Sequence, residues 1–513
     1  MNSMWHAYGQ ERLVRAFLPL SVFISGAVVM VLEILGTRLV GSVYGTSLYV
    51  WSALIGITLF SLSLGYWIGG CLADRVPQPW LFFLIFDVAA LLLILVPLIR
   101  ASVFGLTRPL GLRSGVLASS ALFLIAPLTL LGMTSPFAVR LAAKTLGTVG
   151  KTAGGLYAVS TAGSLLGILV TGFYLIPQFR VRTILFGAAA FLVLPALVYQ
   201  LAAVCRRVIV SLLVIGVLVL SAARPLVGSS RILAVRDTPY SQIKVVDYGQ
   251  HRALLLNGAY QTIALAGTST SIASYPLVMA DLAWRAAPLG KRALVIGLGG
   301  GILPSLFSSF GVATRVVEID AAVLELAERY FAFDPTRVEV TIADGRQFLA
   351  STAERYDYIF LDAYAAEVVP AHMLTEEMMR IVATHLNPGG VMVLNYSGYR
   401  SGKEARALRS VTLTISTHLP WTVVIPCCQP GTYGNNIIVA GREPVSLHSG
   451  RPPFPIPAQV SGELRNLAPM PLVGPAVLLT DDYNPLDLWS MEAHETFRRI
   501  ELGITPWDVM LAE

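Results

Sequence analysis

Long apolar stretches separated by short polar connections fill the first 228 residues of the chain. A helix needs roughly 20 predominantly apolar residues to cross the hydrocarbon core of a bilayer. Six stretches are of that length and the last is shorter: 17–35, 48–70, 80–99, 116–134, 155–176, 184–204 and 208–223. The pattern therefore predicts a membrane α-helical bundle of about seven spans over residues 1–228.

The pattern changes to short strand-like runs after residue 228. SQIKVVDYG and HRALLLNGAYQT, joined by a turn-like connection, predict a small β-strand subdomain over residues 229–270. Strand-like runs then alternate with helix-like ones, with strands at 292–298, 314–320, 338–345, 356–364 and 391–398. Such alternation predicts a parallel, doubly wound sheet, so residues 271–513 are expected to form an α/β, Rossmann-like domain.

Charge divides the chain at the same place. The whole chain is 13% charged, against about 25% in average soluble domains. Residues 1–228 carry a net charge of +11 and residues 229–513 a net charge of −5. The basic excess lies in short loops between apolar stretches, where Lys and Arg set membrane orientation, so it does not indicate nucleic-acid binding. These loop charges are nearly balanced between the two sides and leave the orientation open.

Outside the α/β pattern, two groups of residues are candidates for functional sites: the charged residues of the spans and the cysteines. Charged residues within or at the ends of spans are Glu33, Arg38 and Asp87. Intramembrane charges are costly and often functional, so a structural ion pair and a transport role are both open for them. The cysteines are Cys71, Cys205, Cys427 and Cys428. They show no metal-binding spacing, so structural or free thiols and no metal site are expected.

Glycines or carboxylates stand at the ends of four successive predicted strands. They are, in chain order, Gly297, Gly299, Gly300, Gly301, Glu318, Asp320, Asp344, Gly345 and Asp362. Ligands of such sheets bind beyond the carboxyl ends of the strands, so these residues are expected to line one crevice. An acidic residue at the position of Glu318 can accept hydrogen bonds from both hydroxyls of a ribose. The alternative is that the aspartates merely cap the helices that follow them.

The glycine-rich turn narrows the class of ligand. GLGGG lacks the G-x-G-x-x-G form of dinucleotide-binding turns, and the chain contains no G-K-[ST]. A redox dinucleotide or ATP is therefore less expected than an adenosyl sulfonium, which needs adenosine recognition but no phosphate cradle.

With these motifs, the chain resembles the membrane-fused members of the polyamine aminopropyltransferase (spermidine synthase) family. The resemblance covers residues 235–400, and FISGAVVMVLEILGTRL, YGNNIIVAG and LLTDDYNPLD are also similar to the fused group. Members transfer an aminopropyl group from decarboxylated S-adenosylmethionine to an amine such as putrescine, and they release 5′-methylthioadenosine. The resemblance implies this co-substrate, an amine acceptor, a surrounding lipid bilayer and no permanently bound cofactor. Soluble members are often dimers or tetramers, which makes a homo-oligomer an expectation by analogy.

The resemblance also implies residue roles. Asp362 matches the proton acceptor of the family. Such a base suits the chemistry, because an alkylamine with a pKa of about 10 is mostly protonated at neutral pH and cannot attack as it stands. The implied donor-binding residues are Gln242, Gly297, Gly299, Glu318, Asp344, Gly345 and Pro370, and the acceptor-side candidates are Tyr240, Tyr364 and Glu367.

Three departures from the family pattern fall on the acceptor side. The D-S-S-D loop reads DAYA at 362–365, so its second aspartate is missing. The aspartate of the glycine-rich turn is replaced by Gly300, and a histidine of the family is replaced by Pro276. Specificity for putrescine is therefore open, and Glu367 either replaces a lost carboxylate or faces solvent.

The leading hypothesis is thus a membrane-anchored, metal-independent aminopropyltransferase. One alternative is an S-adenosylmethionine-dependent methyltransferase on the same pocket, and another is a transporter or sensor that binds a polyamine or nucleoside without catalysis. Because the donor is made in the cytosol, the catalytic domain of this multi-pass cell-membrane protein is expected there. Seven spans then place the N-terminus outside.

Overall fold

The computed structural model describes most of the chain and divides it into two compact units. The described residues are 2–45, 47–143, 145–202, 208–223, 231–427, 431–445, 447–450, 452–454, 456 and 473–511. One unit comprises Met1–Ser229 with Trp507–Glu513, and the other comprises Ser230–Pro506. The predicted boundary at 228/229, together with Cys205 and Cys428, lies outside the described residues.

The first unit is helical. Its helices are α1 Asn2–Tyr44, α2 Leu48–Arg75, α3 Pro79–Thr107, α4 Gly111–Ala142, α5 Val149–Val170, α6 Ile176–Gln178, α7 Val181–Ala202 and α8 Val208–Ala223. Within the described residues, 5 segments are long and apolar enough to cross a membrane, and one of them, Pro79–Ala142, contains both α3 and α4. The helix α8 is apolar but shorter. The count of about seven spans stays a prediction.

Small residues let these helices approach one another closely. On α5, a Cβ atom added to Gly167 would lie 2.5 Å from the carbonyl oxygen of Ala27 on α1. On α2 the buried positions recur every three or four residues, from Val50 to Ala73. Large apolar side chains such as Trp67 are exposed on its other faces. This arrangement suits a helix that packs on one stripe and meets lipid elsewhere.

The second unit begins with a four-stranded antiparallel sheet. Its strands are β1 Ile232–Asp237, β2 Gln242–Asp247, β3 His251–Leu256 and β4 Ala259–Leu265, in the order β1-β2-β3-β4. The run HRALLLNGAYQT, predicted as one strand, is a hairpin of β3 and β4. Asn257 and Gly258 both have positive φ, at 48° and 80°, which is the geometry of a tight hairpin turn.

A seven-stranded, Rossmann-like sheet follows. Its strands are β5 Arg292–Ile296, β6 Ala313–Glu318, β7 Glu339–Ile342, β8 Tyr356–Leu361, β9 Leu386–Tyr399, β10 Trp421–Pro426 and β11 Tyr433–Gly441. The order is β10-β11-β9-β8-β5-β6-β7. Strands β5 to β9 run parallel to their neighbours within that group, whereas β11 is antiparallel to both β9 and β10.

Helices connect the strands and complete the C-terminal part. They are α9 Tyr275–Ala286, α10 Ile302–Ser309, α11 Ala321–Phe331, α12 Gly345–Ser351, α13 Glu376–His385, α14 Arg406–Ser416, α15 Leu486–Trp489 and α16 Met491–Ile504. The last helix, α17 Trp507–Leu511, belongs to the first unit. Successive residues of the central strands serve two different cores: Val295 and Phe360 belong to one cluster, and Leu294 and Ile359 to the other. A sheet covered on both faces requires such continuous apolar strands.

The topology places a crevice at one edge of the sheet. From β5 the chain moves outward through β6 and β7, then returns to the other side of β5 to form β8 and β9. The direction of winding therefore reverses between β5 and β8. Ligands of open α/β sheets bind outside the carboxyl ends of the strands at such a reversal.

Candidate active site

The carboxyl ends of β5 and β8 touch at the reversal point. Gly297, the first residue after β5, has φ of +96° and donates its N–H to the carbonyl oxygen of Val317 at 2.9 Å. The position that its Cβ would occupy is taken by the backbone of Asp362. Only glycine fits a position that combines this φ with this close approach. The glycine turn is thereby held directly against the residue that follows β8.

The rest of the glycine turn is tied to the small sheet. Gly299 has φ of +53°, and the N–H of Gly300 donates to Thr262 Oγ1 of β4 at 2.8 Å. A Cβ on Gly300 would lie 2.6 Å from Thr262 Cγ2, so a larger residue does not fit without movement. This packing gives a physical reason for the glycine where the family pattern has an aspartate.

Glu318 ends β6 with both carboxylate oxygens engaged by backbone. Oε2 accepts the N–H of Leu298 at 2.9 Å, and Oε1 accepts the N–H of Asp320 at 3.0 Å. Burial raises the pKa of this carboxyl, and the backbone N–H groups act in the opposite direction. Each oxygen retains a lone pair, so the carboxylate can still accept two hydroxyl hydrogen bonds.

Asp320 and Asp344 are helix caps. Asp320 accepts the N–H of Ala322 at 3.0 Å at the start of α11, and it also accepts the hydroxyl of Thr238 at 2.6 Å. Asp344 accepts the N–H of Gln347 at 2.9 Å at the start of α12. The capping alternative therefore describes both residues. Asp344 keeps a second oxygen, which faces His372 Nε2 at 3.1 Å.

Asp362 is different, because side chains rather than a following helix hold it. Asn395 of β9 donates Nδ2–H to Asp362 Oδ1 at 3.1 Å. The phenol of Tyr275 on α9 donates to the carbonyl oxygen of Gln261 at 3.4 Å, and its proximity lowers the pKa of the Asp362 carboxyl. Asn435 of β11 donates to Asn395 Oδ1 at 2.9 Å, which orients the amide so that its N–H groups face Asp362. Burial raises the pKa of Asp362 to about 6, although the side chains of Asn395 and Tyr275 both act to lower it.

The remaining donor-side candidates lie at three places around this edge. Gly345 is the first residue of α12, and a Cβ there would meet the side chain of Ile296 at the end of β5. Pro370 precedes the turn that carries His372, the neighbour of Asp344. Gln242 begins β2 in the small sheet, where its Nε2 donates to Asp237 Oδ1 at 3.1 Å.

The acceptor-side candidates do not share one environment. The Tyr364 hydroxyl donates to the carbonyl of Asn395 at 2.9 Å and accepts the N–H of Ser397 at 3.0 Å, and burial raises its pKa well above the usual range. Tyr240 is 55% exposed in the turn between β1 and β2. Glu367 is only 4% exposed, so the alternative in which it faces solvent is wrong.

Glu367 instead forms a buried ion pair. Its Oε2 accepts Arg498 Nη2 of α16 at 2.9 Å, and Arg498 is 2% exposed. Glu501, one turn further along α16, is also buried, and burial raises its pKa to about 7. Removing either partner of a fully buried ion pair leaves the other charge uncompensated, so the loss of Glu367 or Arg498 alone is expected to destabilise the fold strongly.

Four residues around Asp362 and Glu367 were not predicted as site residues from the sequence: Tyr275, Asn395, Asn435 and Arg498. A signal for one of them exists, since Asn395 is a polar residue inside the apolar strand VMVLNYSG and is 2% exposed. Arg498 gives no comparable signal, because a lone arginine in an amphipathic C-terminal helix is ordinarily a surface residue. Among the described residues, no cluster of His, Cys, Asp and Glu is arranged to hold a metal ion.

A Rossmann-like sheet with a glycine turn and an acidic residue at the next strand end is typical of sites that bind a nucleoside, and here a half-buried carboxylate lies beside them at the reversal point. Residues 273–434 match the family described as "Spermine/spermidine synthase domain". This part of the chain is therefore similar to that family, and the match does not extend over the helical unit.

Individual relatives show the extent of the similarity. The chain is 31% identical over 180 residues to a polyamine aminopropyltransferase of Vibrio vulnificus, covering 33% of this chain and 60% of that protein. It is 33% identical over 134 residues to an N-terminal histidine N-methyltransferase of Emericella nidulans, covering 24% of each. The spermidine synthase structure from Thermotoga maritima aligns with a TM-score of 0.36 and 21% identity over 46% of this chain and 88% of that one. The chain thus spans less than two thirds of the length of the Vibrio and Emericella relatives.

Proposed function

We propose that the protein transfers an aminopropyl group from decarboxylated S-adenosylmethionine to an amine acceptor, putrescine or another polyamine. The observation that carries this proposal is Asp362, a half-buried carboxylate with a raised pKa that lies against the glycine turn at the reversal point. A group with a pKa of about 6 is mostly ionised at neutral pH and can accept a proton from an attacking ammonium.

The donor occupies the β5–β6–β7 side of the crevice in this proposal. Glu318 accepts the two ribose hydroxyls, while Asp344 and Gly345 border the adenine and Pro370 closes that side. Gly297 and Gly299 form the turn beside the donor, where their positive φ sets the path of the backbone. Gln242 belongs to the small sheet that covers the turn, and it reaches the nucleoside only if its hydrogen bond to Asp237 opens.

The acceptor amine lies between Asp362 and the donor. Its nitrogen loses a proton to Asp362 and attacks the propyl carbon beside the sulfonium. The new C–N bond forms as the C–S bond breaks, and the electron pair of that bond returns to sulfur. The products are the aminopropylated amine and 5′-methylthioadenosine. Positioning supplies much of the rate, because the sulfonium is already a good leaving group.

The acceptor side suggests that the far end of the amine is not bound as in the family pattern. Residue 365 is alanine, and the carboxylate of Glu367 is already neutralised by Arg498 at 2.9 Å. Glu367 can bind a second ammonium only by giving up that partner. Tyr240 and Tyr364 remain candidates for contacts with the carbon chain of the acceptor. The catalytic unit lies in the cytoplasm in this proposal, because the donor is made there.

The test uses the full chain in detergent or nanodiscs with decarboxylated S-adenosylmethionine and a panel of di- and polyamines. Release of 5′-methylthioadenosine that depends on both the donor and an amine is the expected result. A parallel reaction with intact S-adenosylmethionine examines the methyltransferase alternative, for which the fungal relative is the supporting observation. Methyl transfer without aminopropyl transfer would replace the proposal, and donor binding with neither product would favour a non-catalytic sensor or transporter.

A further inference from the structure

Three polar side chains meet in the interior of the helical unit. Asp87 of α3, Gln200 of α7 and Ser211 of α8 are 0%, 4% and 0% exposed. Gln200 Nε2 lies 2.8 Å from Asp87 Oδ2, Ser211 Oγ lies 2.7 Å from Asp87 Oδ1, and Ser211 Oγ lies 2.9 Å from Gln200 Oε1. The three contacts close into a ring, which we call the polar ring.

The polar ring needs one hydrogen for each contact. Gln200 supplies one through Nε2, and the Ser211 hydroxyl supplies one. An ionised Asp87 supplies none, so one of the three contacts would join two oxygens without a hydrogen between them. A protonated Asp87 completes the set: Oδ1–H donates to Ser211, Ser211 donates to Gln200 Oε1, and Gln200 donates to Asp87 Oδ2.

The count does not depend on how the Gln200 amide is oriented. If its oxygen and nitrogen exchange places, Gln200 donates to Ser211, Ser211 donates to Asp87 Oδ1, and Oδ2 then faces an amide oxygen. That contact again requires a proton on Asp87. In either orientation the ionised ring is short by one hydrogen, and a buried polar contact without its hydrogen is costly.

Among the described residues, the charged groups on the surrounding elements are either distant along the helices or paired with another side chain. Those on α3, on the turn after it and on the elements packed against α3 are Arg100, Arg108, Arg113, Arg140 and Arg182. At a rise of 1.5 Å per residue, Arg100 is about 20 Å from Asp87 along α3, and Arg182 is about 27 Å from Gln200 along α7. The Arg140 side chain pairs with Asp74 at 3.3 Å, and Arg113 lies over the ring of Tyr49. Phe137 of α4 packs beside Phe82 of α3, and Arg113 lies about 36 Å along α4 from Phe137.

We propose that the polar ring is a proton-binding site within the membrane-embedded unit and that Asp87 is a neutral carboxylic acid there. A neutral acid avoids placing a charge in the hydrocarbon region, where a charge is expensive. The proton also fixes the architecture, because Ser211 is the point at which the short helix α8 is hydrogen bonded to both α3 and α7. Loss of the proton leaves one of those two attachments as an oxygen–oxygen contact. This inference is independent of the proposed transferase activity.

Infrared spectroscopy of the full chain in lipid nanodiscs at neutral pH tests the protonation directly. The difference between wild type and Asp87→Asn is expected to contain one carbonyl band of a protonated carboxylic acid, which shifts in D₂O. Ser211→Ala retains the acid but removes its acceptor, so the same band is expected at higher frequency. A wild-type spectrum with no band that Asp87→Asn removes or Ser211→Ala shifts would overturn the proposal.

Thermal unfolding of the same samples provides a second, structural readout. Asparagine can donate Nδ2–H where the acid donates O–H, so Asp87→Asn is expected to keep the midpoint of the wild type. Ser211→Ala is expected to lower it. Ser221→Ala is the matched control, because Ser221 lies on the same helix and is buried at 3% but is outside the ring. Equal losses for Asp87→Asn and Ser211→Ala would contradict a neutral ring.

Discussion

Glu318 and Asp362 are two carboxylates that flank the same central strand, β5, yet the protein holds them in different ways. Backbone N–H groups at 2.9 and 3.0 Å engage both oxygens of Glu318. Asp362 accepts a hydrogen bond from the side chain of Asn395, and the nearby phenol of Tyr275 lowers its pKa. Backbone donors at strand ends are fixed by the fold, whereas side-chain donors can turn as the charge of the carboxyl changes.

The two environments suit the two carboxylates to different tasks, the binding of hydroxyl groups by Glu318 and the acceptance of a proton by Asp362. Burial raises the pKa of both groups. Glu318 is anchored by donors that cannot leave, so it suits a fixed acceptor for hydroxyl groups. Asp362 is held by an adjustable side-chain donor, Asn395, and has a pKa of about 6, so it suits a group that gains and loses a proton.

Asp362→Asn is expected to give the largest effect. The amide preserves the size of the side chain but cannot accept the proton, so turnover is expected to fall by about 10²–10⁴-fold. Donor affinity, measured by calorimetry on the same sample, is expected to change little. Asp334→Asn is the control, since Asp334 is an exposed cap at a different part of the unit. Turnover of Asp362→Asn close to wild type would remove its assigned role.

Glu318→Gln is expected to act on the donor instead. One of its two oxygens becomes an N–H group that faces a backbone N–H, and hydrogen bonds to charged groups contribute about 1.5–3 kcal/mol. The KM for the donor is therefore expected to rise at least about tenfold, with a smaller change in kcat. Glu325→Gln on the exposed face of α11 is the matched control. An unchanged donor KM would show that Glu318 serves the fold alone.

Tyr275→Phe is expected to shift a pH profile rather than abolish activity. The phenol lowers the pKa of Asp362, so its loss should raise that pKa above about 6. At pH values near the wild-type pKa, less of the carboxyl is then ionised and kcat/KM falls by a few-fold, with recovery at higher pH. Tyr330→Phe, whose hydroxyl instead meets the carbonyl of Leu233, is the control. A profile identical to wild type would mean that the phenol does not tune Asp362.

Gly300→Asp is expected to have the smallest effect on the difference between Glu318 and Asp362, because residue 300 belongs to the glycine turn beside these carboxylates. The added Cβ would lie 2.6 Å from Thr262 Cγ2, so the variant should unfold at lower temperature. Thr262→Ser removes that methyl group and keeps the hydroxyl that accepts the N–H of Gly300. The double variant is therefore expected to recover most of the loss. A double variant as unstable as Gly300→Asp would show that another neighbour, such as Phe331, sets the limit.

Much of the α/β architecture could be predicted because its strands are continuous apolar runs that end in polar residues. The ends of β5, β6 and β8 at Ile296, Glu318 and Leu361 are recognisable from the switch between these two kinds of residue. The hairpin of β3 and β4 was missed because Asn257-Gly258 interrupts the run only briefly. The strand β9 begins at Leu386, before the predicted start at residue 391, and it reaches regular pairing only after a register irregularity.

The environment of the site residues was less predictable. Apart from the resemblance, Asp362 differs from the capping aspartates in its surroundings, Asn395 and Tyr275, which come from distant parts of the chain. The pairing of Glu367 with Arg498 joins residues 131 positions apart. Sequence patterns give local geometry and strand ends, but they do not show which distant side chain fills a buried space.

The pH dependence of kcat/KM for the amine acceptor tests the role of Asp362 most directly. An alkylamine has a pKa of about 10, so without a protein base the rate should keep rising with pH until the amine is neutral. With Asp362 as proton acceptor, kcat/KM of the wild type is expected to rise up to pH about 6 and then stay level. Asp362→Asn should lose this plateau. A wild-type profile that climbs without a break toward the pKa of the amine would contradict the account.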